Sequence, residues 1–304
     1  MSKPSWALRL FRGRGRVVMM ERLTRVRFTN LDRVMYPGIG VSKSQVVEYY
    51  IRVAPKMLAF LEGRPVVRNR FPDGIGSEGF YEKDAPLGTP EWVETFTRHS
   101  ETADRDVSYV VCGDLDTLLW LANLAALELH VPLSRVGAYE RPDMVLFDLD
   151  PEPPLGYDEA VEVAFSLKEK LDALGFRAYP KTSGKKGLHI LLPVAADYTY
   201  RQTREFVHEL GRHLARESEF VVSERAQSQD PGTVYIDYLQ NSGGRTMVCP
   251  YSLRAEPGAP VSTPVDWREL RGLRPGELNI FSVTGRKVDP WEGFWEDRQR
   301  LEVG

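Results

Sequence analysis

Residues 144–154 read Met-Val-Leu-Phe-Asp-Leu-Asp-Pro-Glu-Pro-Pro, and no other stretch limits the possible folds as tightly. The apolar run predicts a buried strand over Met144 to Leu149. Pro151, Pro153 and Pro154 end it, because proline has no N–H to offer a ladder. Alternate side chains of a strand face opposite ways, so Asp148 and Asp150 share one face, with Cα atoms about 6.5–7 Å apart, while Leu149 faces the other. Two carboxylates this close repel unless a cation or a proton lies between them, which makes a divalent metal the economical partner. The alternative is that the pair only caps the loop and helix that follow.

A third carboxylate, Asp237, ends the short apolar run Val234-Tyr235-Ile236. Three acidic groups on adjacent strands form a cradle for two metal ions of the kind that clamp both oxygens of a phosphoryl transfer. Between them in sequence lies Thr182-Ser183-Gly184-Lys185-Lys186-Gly187-Leu188-His189. This turn sets a hydroxyl, two ammonium groups and an imidazole around two glycines, whose missing side chains let backbone N–H groups approach an anion such as a triphosphate. It lacks the four-residue spacer and GK[ST] end of a Walker A loop. Ser183 and Lys186 have the SxxK spacing of acyl-serine enzymes, but no SDN or KTG partner accompanies them.

The rest of the chain bounds the class of protein. With 304 residues, 42% of them hydrophobic, it is long enough for one large or two intimate domains and a sizeable core. Cys112 and Cys249 stand far apart without metal-ligand spacing, which speaks against a disulfide framework or a zinc site and for a reducing, cytoplasmic setting. The longest apolar stretch, Leu118 to Val131, is broken by Asn123, Glu128 and His130, too short for a membrane span. Residues 1–33 carry nine Lys or Arg against two Asp or Glu, and residues 34–304 carry 31 against 41. A basic arm over residues 1–22, on an acidic body, is expected either to attract phosphate or to be a solvated tail. Helices are predicted over Lys43 to Phe60, Leu115 to Leu129, Tyr157 to Leu174 and Tyr200 to Glu217. Further strands are predicted at Pro65 to Phe71, Ser108 to Val111, Ala178 to Lys181, Leu188 to Leu192 and Val234 to Leu239.

In order along the chain, Thr29-Asn30-Leu31-Asp32-Arg33-Val34, Gly63-Arg64-Pro65, Phe71-Pro72-Asp73-Gly74, Leu127-Glu128-Leu129-His130-Val131, Phe147-Asp148-Leu149-Asp150-Pro151, the Ser183 to His189 turn, Val234 to Tyr238 with Gln240-Asn241, and Pro250-Tyr251-Ser252-Leu253-Arg254 recur together. This conjunction resembles the polymerase domain of bacterial DNA ligase D, a branch of the archaeo-eukaryotic primase superfamily. The resemblance implies an α+β primase-like fold over residues 23–304: two mixed β-sheets flanked by helices, with the active site in the cleft between them. It implies that Asp148, Asp150 and Asp237 hold two Mn²⁺ or Mg²⁺ ions, and that Ser183, Lys186, His189 and Arg254 contact the triphosphate of an NTP or dNTP. His130, at the end of its helix, and Gln240 would complete the nucleotide site. Arg33 and Lys43 would grip the 5′-phosphate of gapped or broken DNA, and Phe80 and Tyr81 would stack on template bases. From the residues alone, the basic pair also reads as surface charge and the aromatic pair as core.

The implied activity is nucleotidyl transfer in prokaryotic non-homologous end joining, with ready use of ribonucleotides. The chain is expected to act as a stand-alone, nucleoid-associated protein alongside Ku and a separate ATP-dependent DNA ligase. Two departures from the family pattern stand out. Asp230 occupies a usually basic position seven residues before Asp237, which implies either weaker triphosphate contacts or contacts supplied by Arg225, and Asn69 sits between Arg68 and Arg70 where a basic residue is usual. Phe-Asp-Leu-Asp is also the signature of haloacid-dehalogenase-type phosphatases, in which Asp148 would be a covalent nucleophile and Asp150 an acid/base. Against this, Pro151-Glu152 replaces the customary Gly-Thr and no later paired-aspartate motif follows. A third reading, hinted at only by Asp230, is a DNA-end-binding module without catalysis.

Overall fold

The computed structural model describes residues 24–100 and 104–301. The predicted basic arm, residues 1–22, lies outside the described residues. The element order is β1 (Val34–Tyr36), β2 (Val41–Ser42), α1 (Lys43–Leu61), β3 (Pro65–Arg70), β4 (Phe80–Glu82), β5 (Thr95–Ser100), β6 (Arg105–Val111), α2 (Leu115–Asn123) and β7 (Ala126–Val131). After these come β8 (Met144–Pro151), α3 (Tyr157–Ala173), β9 (Tyr179–Thr182), β10 (Leu188–Pro193), α4 (Tyr200–Glu217), β11 (Val221–Val222), β12 (Val234–Ile236) and β13 (Met247–Val248). This is an α+β architecture. One five-stranded sheet has the order β11-β12-β8-β10-β9, and a six-stranded sheet runs β13-β7-β3-β6-β5 with β4 on β3; β1 and β2 form a separate ribbon. The larger sheet is antiparallel throughout, while β11 and β12 give the smaller one a parallel pair.

Local chemistry sets the helix starts. Ser42 N–H donates to Gln45 Oε1 at 2.9 Å ahead of α1, and Thr117 N–H donates to Asp114 Oδ1 at 2.7 Å ahead of α2. Helix α2 then stops at Asn123, so the helix predicted to reach Leu129 is wrong over residues 124–129. Ala125 takes φ +61°, a left-handed conformation that ends the helix, and residues 126–131 continue as strand β7. His130 therefore lies on a strand and not at a helix end. The mistaken helix arose because an apolar run buried on both faces shows neither a helical nor a strand period. Strands β4 and β5 also went unpredicted.

Strand β8 is central, with β10 and β12 on its two edges. Helices α3 and α4 cover one face of this sheet, where Phe147 meets Phe206 of α4 with ring centroids 6.2 Å apart. Phe147 and Leu149 are fully buried, each contributing roughly 1.5–3 kcal/mol of transfer free energy. Their anchoring turns Asp148 and Asp150 to the opposite face, as the alternation of a strand requires. Among the described residues no helix is long and apolar enough to cross a membrane.

Candidate active site

Three neighbouring strands place one row of charged side chains. His189 of β10 lies opposite Asp148 of β8 on one side and opposite Lys181 of β9 on the other. His189 Nε2 sits 3.3 Å from Asp148 Oδ1, and its Nδ1 is buried without a hydrogen-bond partner. On the other edge of β8, Asp150 pairs with Tyr235, and Asp237 N–H donates to the Asp148 carbonyl at 2.9 Å. Asp237 thus follows directly from β12 and joins the end of β8. Its Oδ1 accepts from Tyr235 OH at 3.2 Å and from Leu239 N–H at 3.0 Å.

The electrostatics of this corner are unbalanced. Burial and the neighbouring charges of Asp150 and Asp237 push the Asp148 carboxyl well above the usual range, against the pull of Lys181 and Arg254. Burial and Asp237 raise Asp150 in the same way. Lys181, fully buried with Nζ donating to Ser262 Oγ at 2.6 Å, is pushed down to about 7 by desolvation, then by Arg254. Desolvation, then the charges of Lys181 and Arg254, hold His189 well below the normal imidazole range. As they stand, no three His, Cys, Asp or Glu side chains among the described residues are grouped so that they could hold a metal ion. Yet the donor set consists of hard carboxylate oxygens carrying more negative charge than the buried Lys181 offsets, and this suits a divalent cation.

The glycine-bearing turn is built differently from the expected anion nest. The N–H groups of Lys185 and Gly187 both donate to Ser183 Oγ at 3.2 Å, so the turn is closed on its own hydroxyl. Its glycines serve close packing. A Cβ on Gly187 would stand 2.6 Å from the Leu149 carbonyl and 3.1 Å from Asp150 Oδ1, and one on Gly184 would meet Arg254 Cγ at 2.6 Å. Lys186 is half exposed and bonds Glu152 at 2.9 Å. Arg254 links the two sheets: its Nη1 donates to the Ser183 carbonyl at 2.6 Å and its Nε to Glu128 of β7 at 3.1 Å.

The remaining predicted residues lie around this centre. His130 of β7 bonds Glu128 at 3.0 Å and meets the edge of Tyr81 with centroids 6.1 Å apart. Phe80 and Tyr81 are 51% and 57% exposed on β4, so they are not core. Gln240, in a one-turn helix after Asp237, lines a cavity of about 670 Å³ together with Tyr81, Lys83, Arg98, Tyr109 and Arg245. The three aspartates do not line it. Lys43 is buried at the start of α1, with Nζ donating to the Thr29 carbonyl at 2.7 Å, and desolvation, then the Arg33 and Arg70 charges, lower it to about 8. Arg33, just before β1, bonds the Pro72 carbonyl at 2.6 Å and the Asp73 carboxylate.

Residues 42–291 match the family described as LigD, primase-polymerase domain. The chain belongs to that family. It is 34% identical to the bifunctional non-homologous end joining protein LigD of Bacillus subtilis, across 86% of this chain and 42% of that protein. The multifunctional LigD of Mycolicibacterium smegmatis is likewise 34% identical, across 88% of this chain and 35% of its own length. The chain thus spans well under half of these relatives. The polymerase domain of Mycobacterium tuberculosis ligase D, solved in complex with DNA, superposes with a TM-score of 0.82 at 32% identity, covering 91% of this chain and 100% of that one. Membership in the LigD primase-polymerase family makes the chain a nucleotidyltransferase, with a nucleotide substrate and divalent metals in general, and displaces the phosphatase reading of Asp148.

Sequence reasoning missed two buried charges of this candidate site, Glu128 and Lys181. Both stand in strand rows with assigned site residues. Glu128 stands two residues from His130, a spacing that puts both on one face only once residues 126–131 are known to form a strand.

Proposed function

We propose that this protein adds nucleotides to a primer 3′-hydroxyl at gapped or broken DNA, filling gaps during prokaryotic non-homologous end joining. The observation that carries the reading is the buried surplus of carboxylates at the end of β8, facing Arg254 and the Ser183 turn across two sheets. In this reading Asp148, Asp150 and Asp237 hold two Mn²⁺ or Mg²⁺ ions. When bound, such ions neutralise triphosphate charge and lower the pKa of the attacking hydroxyl.

The chain's own residues do the positioning. Arg254 has Nε and Nη1 engaged by protein and keeps Nη2 for a triphosphate oxygen; Lys186, half exposed, supplies a second cation. Ser183 presents its hydroxyl, and His189, held neutral, keeps the row beside Asp148 free of further positive charge. Arg225 takes over from the acidic Asp230 in meeting the outer phosphates. His130 and Gln240 border the nucleotide, and the exposed Phe80 and Tyr81 give the template a stacking face. Arg33 and Lys43 grip a downstream 5′-phosphate. Ku and a separate ATP-dependent ligase are the expected partners, and ribonucleotides the preferred substrates.

The DNA-bound polymerase domain of M. tuberculosis ligase D supports the choice of DNA as substrate. The test is incorporation of labelled nucleotide on gapped DNA bearing a 5′-phosphate. The wild-type chain should extend the primer in the presence of Mn²⁺ or Mg²⁺, and Asp148→Asn should not, while still binding the gapped DNA. Extension by Asp148→Asn at the wild-type rate removes the metal assignment.

A further inference from the structure

Glu128 is 5% exposed, on a strand of the six-stranded sheet, and has no assigned role. Its Oε1 accepts from Arg254 Nε at 3.1 Å and from Ala255 N–H at 2.9 Å, while Oε2 lies 3.0 Å from His130 Nε2. Burial alone would raise this carboxyl; the hydrogen bond from His130, the Arg254 charge and the Ala255 N–H hold it well below its ordinary range. An ionised carboxylate only accepts hydrogen bonds, so His130 must carry a proton on Nε2 whatever its charge. The geometry points to Glu128 as a positioning residue that aims two nucleotide-site groups at once. It pins Arg254 between β7 and the Ser183 turn, and it fixes His130 in the form that carries its proton on Nε2.

Two features of the site agree with this. Arg254 reaches Ser183 from Glu128, so the carboxylate sets the distance between the two sheets at the point where a triphosphate would lie. Glu128 and His130 stand two residues apart on β7, hence on the same face, and β3 backs that strand with Asn69 opposite Glu128 and Val67 opposite His130. The pair is therefore held by a paired strand and not by a loop.

The inference rests on the nucleotide-site reading of Arg254 and His130, and the test separates the two. Glu128→Gln keeps the shape of the side chain. Its carbonyl can still accept from Arg254 and Ala255, but its amide then faces His130 Nε2 as a donor, so the imidazole has to move its proton to Nδ1. Nitrogen spectra of histidine-labelled, nucleotide-free protein should show that change of tautomer. The nucleotide KM should rise about tenfold with a much smaller change in kcat, the size expected for one charge-assisted hydrogen bond. Affinity for 5′-phosphorylated DNA should stay at the wild-type value. Glu128→Asp, which keeps the charge, should return the Nε2 proton. An unchanged His130 tautomer in Glu128→Gln, or a KM within twofold of wild type, overturns the role of Glu128. Failure of the wild-type chain to incorporate nucleotide would sink the polymerase reading instead.

Discussion

Two clusters of buried charge in this chain are built on opposite plans. Around Asp143, unlike charges touch: fully buried Arg64 places Nη2 at 2.6 and 2.7 Å from the two carboxylate oxygens, and Arg135 Nε adds a third contact at 2.9 Å. Trp295 covers both guanidinium groups, 5.4 and 4.9 Å from its ring centroid. At the end of β8 like charges are gathered: burial, Asp150 and Asp237 raise the affinity of Asp148 for protons, and burial and Asp237 raise that of Asp150. The first cluster is closed on itself and needs nothing from outside. The second holds negative charge that the protein does not neutralise, and a fold tolerates that cost where a ligand supplies the missing cation. Gly63-Arg64-Pro65, one of the segments that carries the family resemblance, therefore belongs to the scaffold and not to the chemistry.

The contrast can be broken by mutation. The largest effect is expected for Asp148→Asn, which should cut primer extension by about a thousandfold or more. The same variant should melt no lower than wild type, because one of three mutually repelling carboxylates has been neutralised. A lower melting point would mean that Asp148 is structural after all. Asp143→Asn should behave in the reverse way, losing about 3–5 kcal/mol of stability in denaturant titrations because it leaves Arg64 buried and unpaired, while the folded fraction keeps its extension rate.

Metal addition sharpens the difference without touching the scaffold. Mn²⁺ at about a hundredfold over its dissociation constant should stabilise the wild-type protein by about 2.7 kcal/mol in thermal or chemical denaturation. That gain should vanish in Asp148→Asn and persist in Asp143→Asn; a gain equal in all three would place the ion elsewhere. The smallest effect concerns Lys43. With its ammonium lowered to about 8, it is charged below that pH and loses its charge as pH rises through it. The preference for a 5′-phosphate over a 5′-hydroxyl should accordingly fall by a few-fold between about pH 7 and pH 9, a loss worth roughly 1 kcal/mol for one ionic contact. Arg33→Ala with Lys43→Ala should remove both the preference and its pH dependence, and binding curves with the two oligonucleotides would reveal either one surviving.

Much of the scaffold was legible because its signals are local. Alternation at Asp148 and Asp150, the prolines after them and the helical spacing of apolar residues act within a few residues, and the strand at 144–151 and the helices at 43–61, 157–173 and 200–217 follow them. The strand at 126–131 was misread because burial on both faces erases periodicity. With it went Glu128, whose pairing with His130 makes sense only on a strand. The Ser183 turn was recognised as part of the site, but the work of its glycines was not. Their constraint comes from Leu149, Asp150 and Arg254, which are distant in sequence.

Read alone, the chain of residues specified which acidic, basic and aromatic groups to watch, because side-chain chemistry and short-range spacing are properties of the polymer itself. Only the tertiary structure decided which of those charges are answered and which are left over. Net electrostatic balance in a buried site depends on every group brought within a few ångströms, and here those groups come from two sheets and from positions as far apart as Glu128 and Arg254.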